Sequence, residues 1–218
     1  LFKRPPFLNR KGLEYFASLI KFFLKQNLDK IPLIMKSIMM IISFPEDDQI
    51  PTDLYYQLLI DEYQIGELNI EFLLDNQCNF VQNFILNPSV EEITSYYHHN
   101  KIAFTLLYYI YNSNKAKLYR FDIIQKFVLV LSFIYNQQKE IKENENENQR
   151  KIELKLISNQ YIDFLFSLLE SSFTVQICKL LISNIKTPPV MTVLTLILKC
   201  KTEYFNIFIK SDGFSYLN

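Results

Sequence analysis

The chain has 218 residues; 49% of them are hydrophobic, only three are glycine, and 23 basic residues balance 23 acidic ones. A chain of this length and hydrophobicity can bury a sizeable core, which excludes disorder for most of its length. The scarcity of glycine argues against β folds, because their hairpin turns need residues with positive φ. A zero net charge removes the electrostatic argument for nucleic-acid binding, because phosphate contacts need a basic excess or a basic stripe.

The predicted elements are all helices. Asn9 precedes an amphipathic spacing over residues 13–23, which predicts the first helix. Proline-bounded helices are predicted next, over residues 29–45 and from residue 52 to about residue 63. Between residues 66 and 87 the helix borders are indistinct.

The middle of the chain predicts a capped helical hairpin followed by a long helix. Ser89 and Glu92 have the spacing of a capping box, in which each side chain bonds the backbone N–H of the other. A helix is therefore predicted over residues 90–98. Asn100 can cap a second helix over residues 102–111, and a long helix follows from about residue 116 to residue 138. The acidic, asparagine-rich segment 139–151 is predicted to be a flexible loop or a frayed extension of that helix.

Four more helices are predicted, at about residues 152–170, 173–185, 188–199 and 201–210. The whole chain would then hold about ten or eleven short helices and no strand. Closed bundles use a few long helices, whereas solenoids use many short ones that pack on their neighbours in sequence. The pattern therefore favours an all-α solenoid over a bundle.

The most specific pattern runs from Tyr161 to Ile185. Five residues fit a helix that reads Ile-x-x-Leu-x-x-Leu-Leu-x-Ser: Ile162, Leu165, Leu168, Leu169 and Ser171. Three fit a following helix that begins Val-Gln and ends in Asn, with a small residue between: Val175, Gln176 and Asn184, with Cys178 at the small position. The segment resembles an armadillo repeat, and a HEAT-like or irregular α-solenoid is the alternative. The match covers about 25 residues, and the resemblance implies that residues 1–218 form one armadillo-like helical-repeat region.

The resemblance implies a groove, lined by successive third helices, that holds a protein or peptide partner. The partner-binding candidates are Gln176, Lys179 and Asn184. Nuclear-import adaptors of this family use ladders of tryptophan and asparagine, and this chain has no tryptophan, so their mode of cargo binding is not expected. Asn184 is only one asparagine of the kind that forms those ladders, and its simpler interpretation is a solvated or capping residue near a helix end.

Cysteine and histidine usage predicts neither a disulfide scaffold nor a metal site. Cys78, Cys178 and Cys200 are odd in number, far apart and set in apolar runs, which is typical of buried thiols in a reducing compartment. His98 and His99, the only histidines, are adjacent, so on a helix they point in different directions and cannot easily chelate one ion. We expect a cytoplasmic protein without metal or cofactor.

Membrane and targeting signals are not predicted. The strongest apolar stretch, residues 31–44, is interrupted by Lys36 and is shorter than the roughly 20 residues that a membrane span needs. Because the chain begins with Leu1 rather than methionine, we expect a fragment of a longer protein. A basic cluster near the amino end could touch anionic lipid, although a solvated terminus is the simpler interpretation.

Function is predicted to be non-catalytic. The sequence holds no glycine-rich phosphate loop, no Gly-x-Ser-x-Gly and no His-Glu-x-x-His. Large BEACH-domain proteins and formins also carry divergent armadillo-like arrays, and in formins the array receives a small GTPase; this is analogy at the level of fold. Two hypotheses follow: a scaffold that binds a protein or peptide, or a structural segment that packs on adjoining domains and exposes apolar patches at the ends of its array. The oligomeric state is left open.

Overall fold

The computed structural model describes residues 80–99, 101–141 and 145–216, together with residues 11, 12, 14, 15, 18, 19, 22, 57 and 74. Within these residues the chain is all-α and contains no strand, as the sequence predicts. The isolated positions before residue 80 are all helical. Most of the helices predicted before residue 66 lie outside the described residues, so the count of ten or eleven stays a prediction.

The chain divides into two compact units. The first comprises residues 1–87 and 95–117, and the second comprises residues 88–94 and 118–218. In the described part of the first unit, a π-helix spans Gln82–Leu86, and α2 spans Lys101–Asn112. The buried residues of α2 follow the spacing of one helix face and are Ala103, Leu106, Leu107, Ile110 and Tyr111.

Helix α1, Val90–His99, begins with the predicted capping box. The Ser89 hydroxyl oxygen accepts a hydrogen bond from the Glu92 N–H at 3.2 Å, and the Glu92 carboxylate accepts one from the Ser89 N–H at 2.6 Å. Two amide donors that the first turn would leave unsatisfied are therefore bonded, which fixes where this helix starts.

The second unit contains five further α-helices in its described residues. They are α3 (Arg120–Glu140), α4 (Glu145–Leu169), α5 (Val175–Ser183), α6 (Pro188–Cys200) and α7 (Thr202–Lys210), and a final 3₁₀ turn spans Gly213–Tyr216. Each agrees with a predicted helix to within a few residues, except that α4 starts earlier. A 3₁₀ turn, Lys115–Leu118, precedes α3 where the sequence predicted its first turn.

The predicted loop over residues 139–151 is largely helical. Lys139 and Glu140 form the end of α3, and residues 145–151 form the first turns of α4. The Lys139 ammonium lies 4.5 Å from the centroid of the Tyr135 ring, four residues earlier on the same helix face. Contacts of this kind, together with the helix propensity of Lys and Glu, extend both helices into the polar segment. The predicted flexibility of the segment stays a prediction.

The contacts within the second unit also join helices that are not consecutive in the chain. Helix α5 contacts α3 and α7, and helix α4 contacts α3 and α6. Helix α6 contacts α3, α5 and α7 as well as α4. Helices that are next but one in the chain, from α3 to α7, are therefore in contact. No described helix is long and apolar enough to cross a membrane.

One buried tyrosine ties residues 88–94 to the rest of this unit. The Tyr161 ring on α4 packs 5.7 Å from the Phe127 ring on α3, measured between centroids. Its hydroxyl is buried and donates to the Ile93 carbonyl at 3.0 Å. The start of α1 is therefore held by a hydrogen bond that only tertiary packing can supply.

Candidate interaction surface

The amino end of α5 is set by a side-chain cap. The Thr174 hydroxyl oxygen accepts from the Ile177 N–H at 3.3 Å, and Thr174 itself is extended, as an N-cap residue should be. The apolar stripe of α5 is buried and consists of Ile177, Cys178, Leu181 and Ile182. The opposite side of the helix is exposed, and it carries Gln176, Lys179 and Ser183.

The structure brings two of the three predicted partner-binding residues together. Gln176 and Lys179 are exposed and lie one turn apart on the same side of α5. Asn184 lies at the other end, about 12 Å from Gln176 along the helix axis at 1.5 Å per residue. Its amide nitrogen donates to the Leu180 carbonyl at 2.9 Å and to the Ser183 hydroxyl at 3.2 Å. Asn184 therefore caps the carboxyl end of α5, which agrees with the simpler interpretation of this residue as a helix cap.

Cys178, which the sequence predicted to be the small residue of an armadillo-like repeat, is fully buried. Burial raises the pKa of its thiol above the ordinary value of 9.0, and a hydrogen bond with the Ser211 side chain offsets part of the rise. A protonated, buried thiol is a poor nucleophile. Cys200 is half-buried, and Cys78 lies outside the described residues.

Basic side chains outnumber acidic ones around α5, α6 and α7. Between Ser171 and Tyr216 the chain carries five lysines, at positions 179, 186, 199, 201 and 210, against the carboxylates Glu203 and Asp212. All seven side chains are exposed. The positive excess is local, because the whole chain is neutral. A surface of this kind favours acidic partners.

A polar cluster joins the start of α7 to the end of α4. The Tyr204 hydroxyl donates to the Glu170 carbonyl at 2.7 Å, so it satisfies a carbonyl at the carboxyl end of α4. The Lys201 ammonium donates to the Tyr204 oxygen at 3.3 Å and lies 5.2 Å from the centroid of that ring. The hydrogen bond with Tyr204 raises the pKa of Lys201. Sequence reasoning missed this cluster, because its partners lie more than thirty residues apart.

An exposed aromatic patch at α7 was also missed. Phe205 and Phe214 are 43% and 53% exposed, and their ring centroids lie 6.0 Å apart. Ile209, one turn after Phe205, is 49% exposed. In the sequence, Phe205 and Ile209 are an apolar pair one turn apart on a short amphipathic helix. The sequence alone does not show that this pair faces outward, because that depends on how α7 packs in the fold.

Among the described side chains, no group of three histidines, cysteines or carboxylates could hold a metal ion. Comparison with protein families finds no family model that matches this chain, and no curated protein or solved structure matches it either.

Proposed function

We propose that this chain is a non-catalytic protein-interaction module of the armadillo-like or HEAT-like α-solenoid type. In the proposed stack α3, α5 and α7 form one row and α4 and α6 form the second. A protein or peptide partner lies along the first row, across the exposed side of α5. Gln176 and Lys179 are the central contacts, and Asn184 supports them by ending the helix. The proposal includes a cytoplasmic location, which the free thiols of Cys178 and Cys200 support.

The contacts between helices that are next but one in the chain are the observation that supports this proposal most: α3 with α5, α4 with α6, and α5 with α7. Stacked helical hairpins pack each helix on the next helix but one, and such a stack leaves the outer side of each row uncovered. The contacts of α5 with α3 and α7 follow that pattern. The uncovered side of α5 is polar rather than apolar, which suits a partner that binds and leaves.

The charge around α5 restricts the chemistry of the partner. Lys179 can pair with a carboxylate, and the Gln176 amide can both donate to and accept from the backbone of an extended peptide. Because the lysines outnumber the carboxylates in this part of the chain, the proposed partner is an acidic segment of a protein. A small GTPase is the partner that the formin-type resemblance suggests, and nucleic acid is not proposed.

Selection from a displayed library of random peptides on the immobilised full chain tests this function. We expect one enriched family of acidic peptides. Gln176→Ala and Lys179→Glu should each weaken its binding by about fivefold to tenfold, since each removes an exposed hydrogen bond or charge pair. Lys155→Glu, the same charge change at an exposed position of α4, is the matched control. An enriched family that binds both α5 variants as well as the parent would refute this surface.

The second candidate is a structural segment that packs on adjoining domains of a larger trafficking or cytoskeletal regulator, of the BEACH or formin type. The exposed aromatic patch on α7 favours it, because unpartnered apolar surface at the last helix of a row is where another domain would pack. This candidate predicts that no peptide family is selected on α5. The same selection experiment therefore separates the two functions.

A further inference from the structure

We draw no further inference here: the strongest candidate, the exposed aromatic patch that Phe205, Ile209 and Phe214 form at the carboxyl end of the second unit, carries none, because nothing in the described part of the structure shows what covers it.

Discussion

Among the described residues, the Tyr161 hydroxyl is one of two side-chain groups that hold residues 88–94 by long-range hydrogen bonds; the other is the Lys126 ammonium, which donates to the Pro88 carbonyl at 2.5 Å. The Tyr161 hydroxyl is buried and donates to the Ile93 carbonyl at 3.0 Å, while the Tyr161 ring packs on Phe127. Tyr161→Phe keeps the ring and removes only the donor, so we expect the free energy of unfolding to fall by about 1–2 kcal/mol. Urea denaturation of the full chain measures this loss. Tyr216→Phe, at a 57% exposed position, is the control and should change nothing; equal stability of the two variants would contradict the prediction.

The Cys178 thiol should give the stability of the protein an alkaline limit. Its pKa is raised by burial in the folded chain, while in the unfolded chain it titrates near the ordinary value of 9.0. As the pH rises above that value the unfolded state loses the proton first, so the free energy of unfolding falls until the pH reaches the raised pKa. Below it, both states keep the proton and the stabilising contribution is complete.

Replacing this thiol isolates its part of the pH dependence. Cys178→Ala lowers stability through lost packing, but it also removes the group that titrates. The deficit of Cys178→Ala relative to the parent should therefore be smaller at about pH 10 than at about pH 8. Urea titrations of both proteins at the two pH values measure it. A deficit that is constant with pH would show that the thiol titrates alike in both states.

At the scale of elements, the capping box at the start of α1 was fully readable from the sequence. Its evidence is local, because both bonds join Ser89 and Glu92, three residues apart. Ser89→Ala should lower the free energy of unfolding by about 1 kcal/mol and speed hydrogen exchange in the first turn of α1. Thr192→Ala is a matched control, because the Thr192 hydroxyl only donates to a carbonyl of its own helix. Faster exchange in the control as well would rule out a specific capping effect.

The start of α4 was the element that sequence reasoning described least well. Alternating Glu and Asn residues suggest a loop, yet Lys and Glu also favour helices, and local composition does not decide between them. In α4 the described residues from Asn148 to Glu153 are all exposed, and burial begins at Leu154, which is 7% exposed. Packing of the later turns therefore propagates the helix backwards into the polar segment, because adding a turn costs less than starting one.

This dependence on packing predicts a gradient of hydrogen exchange along α4. Amides in residues 145–153 should exchange markedly faster than those in residues 157–169, since the side chains from Asn148 to Glu153 are exposed, whereas the later turns are packed. Mass spectrometry of overlapping peptides resolves the two parts of the helix. Uniform slow exchange along the whole of α4 would show that its start is as stable as its buried end.

At the scale of the whole molecule, the sequence predicted the all-α class and, within the described residues, most helix borders, but not the long-range contacts. Gln176 and Lys179 could be placed on one side of α5 from spacing alone. The bond from Tyr204 to Glu170 and the contact of Phe214 with Phe205 could not, because they depend on how α7 lies against α4 and how the chain turns after Lys210. Periodicity specifies which side of a helix is apolar, and only packing decides which neighbour it meets.

The solenoid interpretation makes a prediction about how stability is distributed. In a stack, each helix depends on its neighbours, so damage at the last helix stays local, whereas damage in the middle spreads. Leu194 lies in α6, which contacts four helices, and Phe208 lies in α7 at the end of its row. Both side chains are 3% exposed. Leu194→Ala and Phe208→Ala each remove buried apolar volume, at a cost of about 2–5 kcal/mol.

Hydrogen exchange of the two variants separates a stack from a closed bundle. Leu194→Ala should speed exchange in α3 to α7 alike. Phe208→Ala should speed it in α7 and the final turn, while the slowest amides of α3 and α4 keep the exchange rates of the parent. In a closed bundle the last helix completes a single core, so Phe208→Ala would reduce the protection of α3 and α4 as much as that of α7. Such a result would contradict the solenoid and the uncovered row on which the proposed partner site depends.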